Sequence, residues 1–206
     1  MKRPGKIVCV GRNYFAHAAE LGNEVPDEPL LFFKPPSAVI GPGDAIRLPG
    51  YSKQVEHEAE IGVVIGKRTR DVSETDAPDA LAGVVCVNDI TARDIQRVEE
   101  QWVRAKGFDT SCAIGGNMKP FGEIEDWRDL EVICRVNGKE RQRGVARQMA
   151  FGIPFLISTI SHVLTLEEGD LVVTGTPNGV GPLLPGDTVE VEIPGVDVLS
   201  NPVEDG

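Results

Sequence analysis

The sequence has no apolar run approaching the ~18 residues of a membrane-spanning helix. Its start, MKRPGKIVCVG, holds too few apolar residues before Arg12 for a secretory signal. A cytoplasmic protein without a membrane partner is therefore expected. Four cysteines are present, but none forms a Cys-x-x-Cys pair, so a zinc site is not expected from Cys9, Cys86, Cys112 and Cys134. Cys9 and Cys86 sit in apolar, strand-like runs and read as small buried thiols. Positive charge is also scarce. There are 21 Lys+Arg against 32 Asp+Glu, a formal net charge of -11. This excess of acid argues against a nucleic-acid partner, because phosphate binding needs clustered Lys and Arg. No repeat, charge block or low-complexity linker divides the 206 residues, so residues 1–206 read as one domain. At 41% hydrophobic and 26% charged, the chain is an ordinary globular one, long enough to bury a core.

What the chain does have is a series of short β-rich runs. KIVCV (6–10), LLFFK (30–34), EAEIGVVIG (58–66), GVVCVNDI (83–90), DLVVTG (170–175) and DTVEVEI (187–193) are each bounded by glycine, proline or polar residues. EVICRV (131–136), Asn137-Gly138 and KERQR (139–143) predict a hairpin, since Asn-Gly suits a type I′ turn. Helical segments are fewer: residues 13–21, residues 91–97 with Thr91 as cap, and residues 154–166 with proline in the first turn. Strands do not alternate with long helices, which disfavours a doubly wound α/β sheet and predicts an α+β, mainly β fold.

Four segments carry candidate chemistry. In Glu56-His57-Glu58-Ala59-Glu60, strand geometry places Glu58 and Glu60 on one face. Taken alone they fit a half-exposed strand with an acidic wet face. Two like charges on one face repel, however, and a divalent cation reverses the sign of that interaction. Asp89, at the end of an apolar run, fits either a helix cap or a third ligand. Three carboxylates with open coordination positions suit Mg²⁺ or Mn²⁺. In GRNYFAHAAE (11–20), a helix makes His17 and Glu20 i,i+3 neighbours, and a carboxylate beside an imidazole orients it for general-base work. An exposed surface pair is the competing reading. Arg93, Asp94 and Gln96 follow Asp89, and Lys106 follows Trp102. They form either a solvated helix face or a cationic wall for an anionic substrate. Thr174-Gly175-Thr176-Pro177-Asn178-Gly179 lacks the lysine of a phosphate loop. It reads either as a turn needing positive φ or as a loop that presents hydroxyls and N–H groups to a carboxylate.

Taken in order, GRNYFAH with Glu20, LLFFKP, HEAEIGVVIG, NDITARDIQ, QWVRAKGFDTSC and LVVTGTPNGVGP resemble the motifs of the fumarylacetoacetate hydrolase family. The resemblance spans roughly residues 6–195 and covers the catalytic domain alone. It implies the mixed β-roll of that family's C-terminal domain and a homodimer. It implies a metal, Mg²⁺ or Mn²⁺, on Glu58, Glu60 and Asp89. It makes His17 and Glu20 a dyad on a mobile lid, with Lys106 also catalytic, and gives Arg12, Lys34, Arg93, Gln96 and Thr176 as substrate contacts. The activity implied is hydrolysis of acylpyruvates or decarboxylation of oxaloacetate through a metal-stabilised enolate. The substrate would be a small anionic 2-oxo acid. Isomerisation of 2-hydroxyhepta-2,4-diene-1,7-dioate is the second activity the resemblance implies, and a metal-binding scaffold without chemistry the third possibility. The chain departs from the family pattern in a shorter segment between Gln96 and Trp102 and in Gly107, where many relatives carry serine.

Overall fold

Valine and isoleucine recur at every second position in 61–65 and again in 85–87, which suits pleated strands that bury both faces. The computed structural model describes residues 3–206; Met1 and Lys2, the charged start of the sequence, lie outside the described residues. The first half runs β1 (Ile7–Gly11), α1 (Phe15–Glu20), β2 (Leu30–Lys34), β3 (Val39–Ile40), β4 (Ile46–Leu48), β5 (Val55–His57), β6 (Ala59–Ile65) and β7 (Leu81–Asp89). It continues with β8 (Thr91–Ala92), α2 (Arg93–Gln96), α3 (Val103–Lys106), β9 (Cys112–Ile114) and β10 (Lys119–Pro120). The second half holds β11 (Glu131–Val136), β12 (Lys139–Val145), α4 (Ile153–Val163), β13 (Leu171–Val173), β14 (Gly181–Pro182), β15 (Thr188–Ile193) and β16 (Asp197–Asp205).

The described residues form three sheets. The largest has the order β2-β1-β13-β6-β7-β9-β3, with β10 also paired to β7. It is mixed: β1 pairs β13 and β3 pairs β9 in parallel, while the other pairs are antiparallel. A second sheet has the order β12-β11-β15-β16-β4, and β14-β5-β8 make a small third. The fold is thus α+β, mainly β, as expected. Asn137 and Gly138, at φ 52° and 73°, form the expected hairpin turn between β11 and β12.

One face of the large sheet presents Val8, Val10, Ile61, Val63, Ile65, Val84 and Cys86 to the second sheet and to α4. In α4, Ile153, Leu156, Ile157 and Ile160 are buried at helical spacing, and Pro154 sits in the first turn. Each such side chain, fully buried, contributes roughly 1.5–3 kcal/mol. The other face carries Ile7, Cys9, Val64, Val85, Val87, Leu171 and Val173. All four cysteines are buried free thiols, and burial pushes those of Cys86, Cys112 and Cys134 up to about 12.

Two local expectations are corrected. The helix expected over 91–97 shrinks to Arg93–Gln96, because Thr91 and Ala92 pair with β5. Thr91 is not its cap; its hydroxyl donates back to the Asp89 carbonyl at 2.9 Å. The strand expected over 58–66 is interrupted at Glu58, whose N–H donates to the side-chain Oδ1 of Asn88 in β7 at 3.0 Å instead of to a backbone carbonyl.

Candidate metal centre and active site

The topology gathers the chemistry at one end of the large sheet. Strands β1 and β13 run parallel, and β6 and β7 form an antiparallel pair, with β6 also antiparallel to β13. So β1, β13 and β7 finish where β6 begins. Gly11 and Arg12, Thr174 to Thr176, Asp89, and Glu58 with Glu60 therefore arrive together. Of these, Gly11, Arg12, Thr176, Asp89, Glu58 and Glu60 line a cavity of about 530 Å³ shared with His17, Glu20, Phe32, Arg93, Gln96, Trp102 and Lys106. That volume lies within the ~300–1,000 Å³ of small-molecule sites.

Carboxylate oxygens of Glu58, Glu60 and Asp89 all lie within 4.8 Å of one another. The three residues are 4%, 2% and 0% exposed, so the reading of an acidic wet face is overturned: this strand is buried on both sides. Asp89 is likewise no helix cap.

Cations answer most of this charge. Lys106 Nζ donates to Glu58 Oε2 at 2.7 Å and to Asp89 Oδ2 at 2.5 Å. Lys34 Nζ donates to Asp89 Oδ1 at 2.5 Å. The Arg93 guanidinium donates to Glu56 Oε2 at 2.7 Å and also to Glu58 and Gln96. Burial pushes the Glu58 carboxyl up, but Lys106 and Arg93 override it and hold the group well below the usual carboxylate range. Burial pulls Lys106 down, and Asp89 and Glu58 override that in turn, keeping it protonated.

Glu60 differs. Among the described residues it pairs with no cationic side chain and accepts only the backbone N–H of Gly175. Burial, then the charges of Asp89 and Glu58, push its carboxyl well above the usual range. A buried carboxylate without a counter-charge is costly. A divalent cation among the three acids would supply the missing positive charge, and an all-oxygen donor set suits Mg²⁺ or Mn²⁺. The residues present fit such an ion.

The Thr174–Gly179 loop is the expected positive-φ turn, and its N–H groups meet carboxylates, whereas the Thr174 and Thr176 hydroxyls donate to the Ile61 and Ala59 carbonyls. Gly175 has φ 98°, and a Cβ there would lie 2.7 Å from Asn13 Cβ, so only glycine brings its N–H to Glu60. Gly179, at φ 96°, donates its N–H to Glu20 Oε1 at 2.9 Å, and a Cβ would lie 2.1 Å from the Arg141 carbonyl. The loop's N–H groups thus meet the protein's own carboxylates. His17, buried on α1, places Nδ1 3.2 Å from Glu20 Oε2, so the expected i,i+3 pair forms. Because Nδ1 faces Glu20, Nε2 is the nitrogen left for a proton from the cavity.

The expected substrate contacts divide. Arg12, Arg93, Gln96 and Thr176 line the cavity. Lys34 does not; it stands behind Asp89, 1% exposed. Thr176 Oγ1 donates to the Ala59 carbonyl at 2.8 Å.

Sequence reasoning missed Gln142. Its Oε1 accepts from the Ala59 N–H at 3.0 Å and faces His57 Nδ1 at 2.9 Å. Its Nε2 donates to Thr176 Oγ1 at 2.8 Å and to the Pro177 carbonyl at 2.7 Å. One buried amide thus ties the Glu58–Glu60 segment to the 174–179 loop. Gln142 faces inward by the ordinary alternation of β12, with Gly144 buried on the same side, and the β11–β12 register slips next to it, between Cys134 and Arg135.

With this geometry in place, comparison with known proteins identifies the class. The chain belongs to the fumarylacetoacetate hydrolase family: the family described as Fumarylacetoacetate (FAA) hydrolase C-terminal matches residues 6–204. It is 45% identical over 197 residues to the mitochondrial oxaloacetate decarboxylase of Dictyostelium discoideum, covering 93% of this chain and 90% of that one. The crystal structure of 2-hydroxyhepta-2,4-diene-1,7-dioate isomerase from Mycobacterium marinum superposes with a TM-score of 0.90 at 40% identity, covering 98% of this chain and 75% of that one. Fumarylpyruvate hydrolase from Pseudomonas aeruginosa, solved in complex with Mn²⁺ and pyruvate, gives a TM-score of 0.92 at 31% identity over 98% of this chain and 91% of that one. Among the described residues, no helix is long and apolar enough to cross a membrane.

Proposed function

We propose that the protein is a divalent-metal-dependent enzyme that cleaves a carbon–carbon bond in small 2-oxo acids, by acylpyruvate hydrolysis or oxaloacetate decarboxylation. The observation that carries this reading is the trio of buried carboxylates opening into the same cavity as His17 and Lys106. Glu58, Glu60 and Asp89 would hold the metal. Once bound, it would supply Lewis-acid stabilisation of negative charge on the substrate's 2-oxo oxygen.

The remaining work falls to the chain. Lys106 and Arg93 give the cavity wall positive charge toward a 1-carboxylate. In hydrolysis, His17 Nε2 takes a proton from water as its oxygen bonds to the distal carbonyl carbon. The carbon–carbon bond then breaks, and its electrons pass to the 2-oxo fragment as an enolate. The proton on His17 returns to that fragment's carbon. Glu20 steadies the imidazolium throughout. Oxaloacetate needs no attacking water: loss of carbon dioxide leaves the same enolate, which is then protonated. Isomerisation is the second reading, favoured by the likeness to the Mycobacterium marinum enzyme, and uses His17 only as a proton shuttle. A homodimer is the proposed working form, tested by sedimentation at twice 22.2 kDa.

The test is a panel of an acylpyruvate, oxaloacetate and 2-hydroxyhepta-2,4-diene-1,7-dioate, each with Mg²⁺ and with a chelator. Metal-dependent turnover of either of the first two supports the reading. Turnover of the dienedioate alone moves it to isomerisation. Inactivity on all three overturns it.

A further inference from the structure

The cavity is graded. Its buried end holds the three carboxylates with Lys106 and Arg93, and its outer part holds half-buried Arg12, exposed Arg97, Gln96, Asn23 and Trp102. The acidic side chains of the outer part are already engaged. Glu20 faces His17 and accepts from Gly179, and Glu99 accepts from Arg104 Nε at 2.6 Å. The two outer cations are not neutralised. Arg97 donates only to the neutral Gln54 Oε1, at 3.1 Å. Arg12 makes no side-chain hydrogen bond or ion pair among the described residues. In a chain with 32 acidic residues, two cavity-lining arginines without a carboxylate partner are conspicuous.

Arg12 also has φ 57°, a left-handed conformation that costs a non-glycine residue energy. It lies between β1 and the segment leading to α1, and Asn13 beside it is pinned: its Nδ2 donates to the Thr174 carbonyl at 2.8 Å and to the Phe151 carbonyl at 3.0 Å. The backbone is thus held in a strained turn at the residue that puts an unpaired guanidinium on the cavity wall.

We propose that Arg12 and Arg97 form a subsite for the second carboxylate of a 2-oxo dicarboxylic acid, so that the cavity selects dicarboxylic over monocarboxylic 2-oxo acids. This rests on the function proposed above, which places the 2-oxo acid end among Glu58, Glu60, Asp89 and Lys106. Guanidinium suits the task because its fork of N–H donors matches a carboxylate. The subsite also sorts acids by length. In oxaloacetate the second carboxylate is the one that departs as carbon dioxide, and an arginine holding it as an anion opposes that departure. Longer acids, whose second carboxylate lies beyond the broken bond, keep the contact throughout.

The test compares 2-oxoglutarate with 2-oxopentanoate, acids of equal chain length that differ by the distal carboxylate. Binding to the Mg²⁺-loaded protein is measured by calorimetry, so no turnover is required. Wild type is expected to bind 2-oxoglutarate at least 10-fold more tightly, the order expected of a hydrogen bond to a charged group. Arg12→Asn, chosen because asparagine tolerates the left-handed backbone, and Arg97→Gln should each cut that preference several-fold and leave 2-oxopentanoate affinity within about twofold. Retained 2-oxopentanoate binding also reports that each variant is folded. Equal wild-type affinity for the two acids overturns the subsite and leaves the 2-oxo acid reading standing. Equal weakening of both acids in the variants overturns it too, since the arginines then attract anions without reading the second carboxylate. Binding of neither acid by the Mg²⁺-loaded wild type overturns the underlying functional reading.

Discussion

Lys106 Nζ donates to Glu58 Oε2 at 2.7 Å, and this single ammonium also reaches Asp89, so one lysine joins two of the three candidate metal ligands. It neutralises them when no metal is present and must share them when one is. All three residues are at most 4% exposed.

Removing that lysine should therefore do two separable things. Lys106→Met leaves Asp89 with Lys34 alone and Glu58 with Arg93 alone. Breaking a buried pair by deleting one partner costs about 3–5 kcal/mol. Urea melts of the metal-free variant should show a loss of that order, and added Mg²⁺ should restore more stability to the variant than it adds to wild type. A variant as stable as wild type without metal would mean that the pairing contributes little.

Glu60 should behave in the opposite sense. Burial and the neighbouring Asp89 and Glu58 charges disfavour its ionised form, and among the described residues Gly175 alone offers it a hydrogen bond. Glu60→Gln removes that repulsion, so the metal-free protein should be at least as stable as wild type. Mg²⁺ at about 100 times its dissociation constant should stabilise wild type by about 2.7 kcal/mol and the variant by much less. Thermal melts with and without Mg²⁺ read both effects. A Glu60→Gln protein that is destabilised without metal would show that the group is neutralised by something other than an ion.

A pH effect is expected away from the cavity, at Asp94 in the short helix that carries Arg93. Burial pushes its carboxyl up, but the Lys53 N–H at 2.8 Å, the Ser52 hydroxyl at 2.6 Å and the Ile95 N–H at 3.0 Å hold the charged form and leave it below the ordinary range. A depressed folded value contributes stability above the unfolded value of about 3.9 and loses it as pH falls through the folded one. Asp94→Asn should thus be less stable than wild type at pH 7, and the gap should narrow at about pH 3. Denaturant melts at the two pH values decide it: an unchanged gap would assign the effect to hydrogen-bond geometry and not to charge.

Much of this architecture was legible before any coordinates. Apolar runs with flanking glycine and proline marked the strands around Ile7, Leu30, Ile61, Val85, Ile133, Val172 and Val189, and Asn137-Gly138 marked its turn. Strand β16 was not marked, because Pro202 and Asn201 read as loop; its inward residues Leu199, Asn201 and Val203 alternate, but a polar residue in the series weakens the signal. The carboxylate trio was legible by residue type and order, but its burial was not. Local pattern suggested a wet face for Glu58 and Glu60, and only tertiary packing closes it, with Lys106 and Arg93 over Glu58 and the 174–179 loop over Glu60. Lys34 read as a substrate contact, whereas tertiary packing turns it into the ion partner of Asp89, 55 residues away. Gln142 gave no signal at all, since a glutamine in KERQR looks exposed and only the packing of β12 shows that its Gln142–Gly144 face is buried.

The dyad separates catalysis from metal holding. His17 Nδ1 faces Glu20, and Glu20 is itself held by the Gly179 N–H, so the imidazole is aimed from α1 while the carboxylate trio is aimed from the sheet. His17→Ala should leave Mg²⁺ affinity within about twofold, because the imidazole is not one of the clustered ligands. It should lower hydrolysis of an acylpyruvate by roughly 10²–10⁴, the usual contribution of a positioned general base. Glu20→Gln should cost less: it keeps an oxygen for Nδ1–H but loses the charge that steadies the imidazolium, and its amide weakens the Gly179 contact. Oxaloacetate decarboxylation should respond less to His17→Ala than hydrolysis does, since it needs no activated water. Metal affinity by calorimetry and turnover by loss of substrate enol absorbance give the four numbers. Wild-type hydrolysis in His17→Ala would remove the dyad from the mechanism, and lost metal affinity would make the imidazole a ligand and redraw the three-carboxylate site.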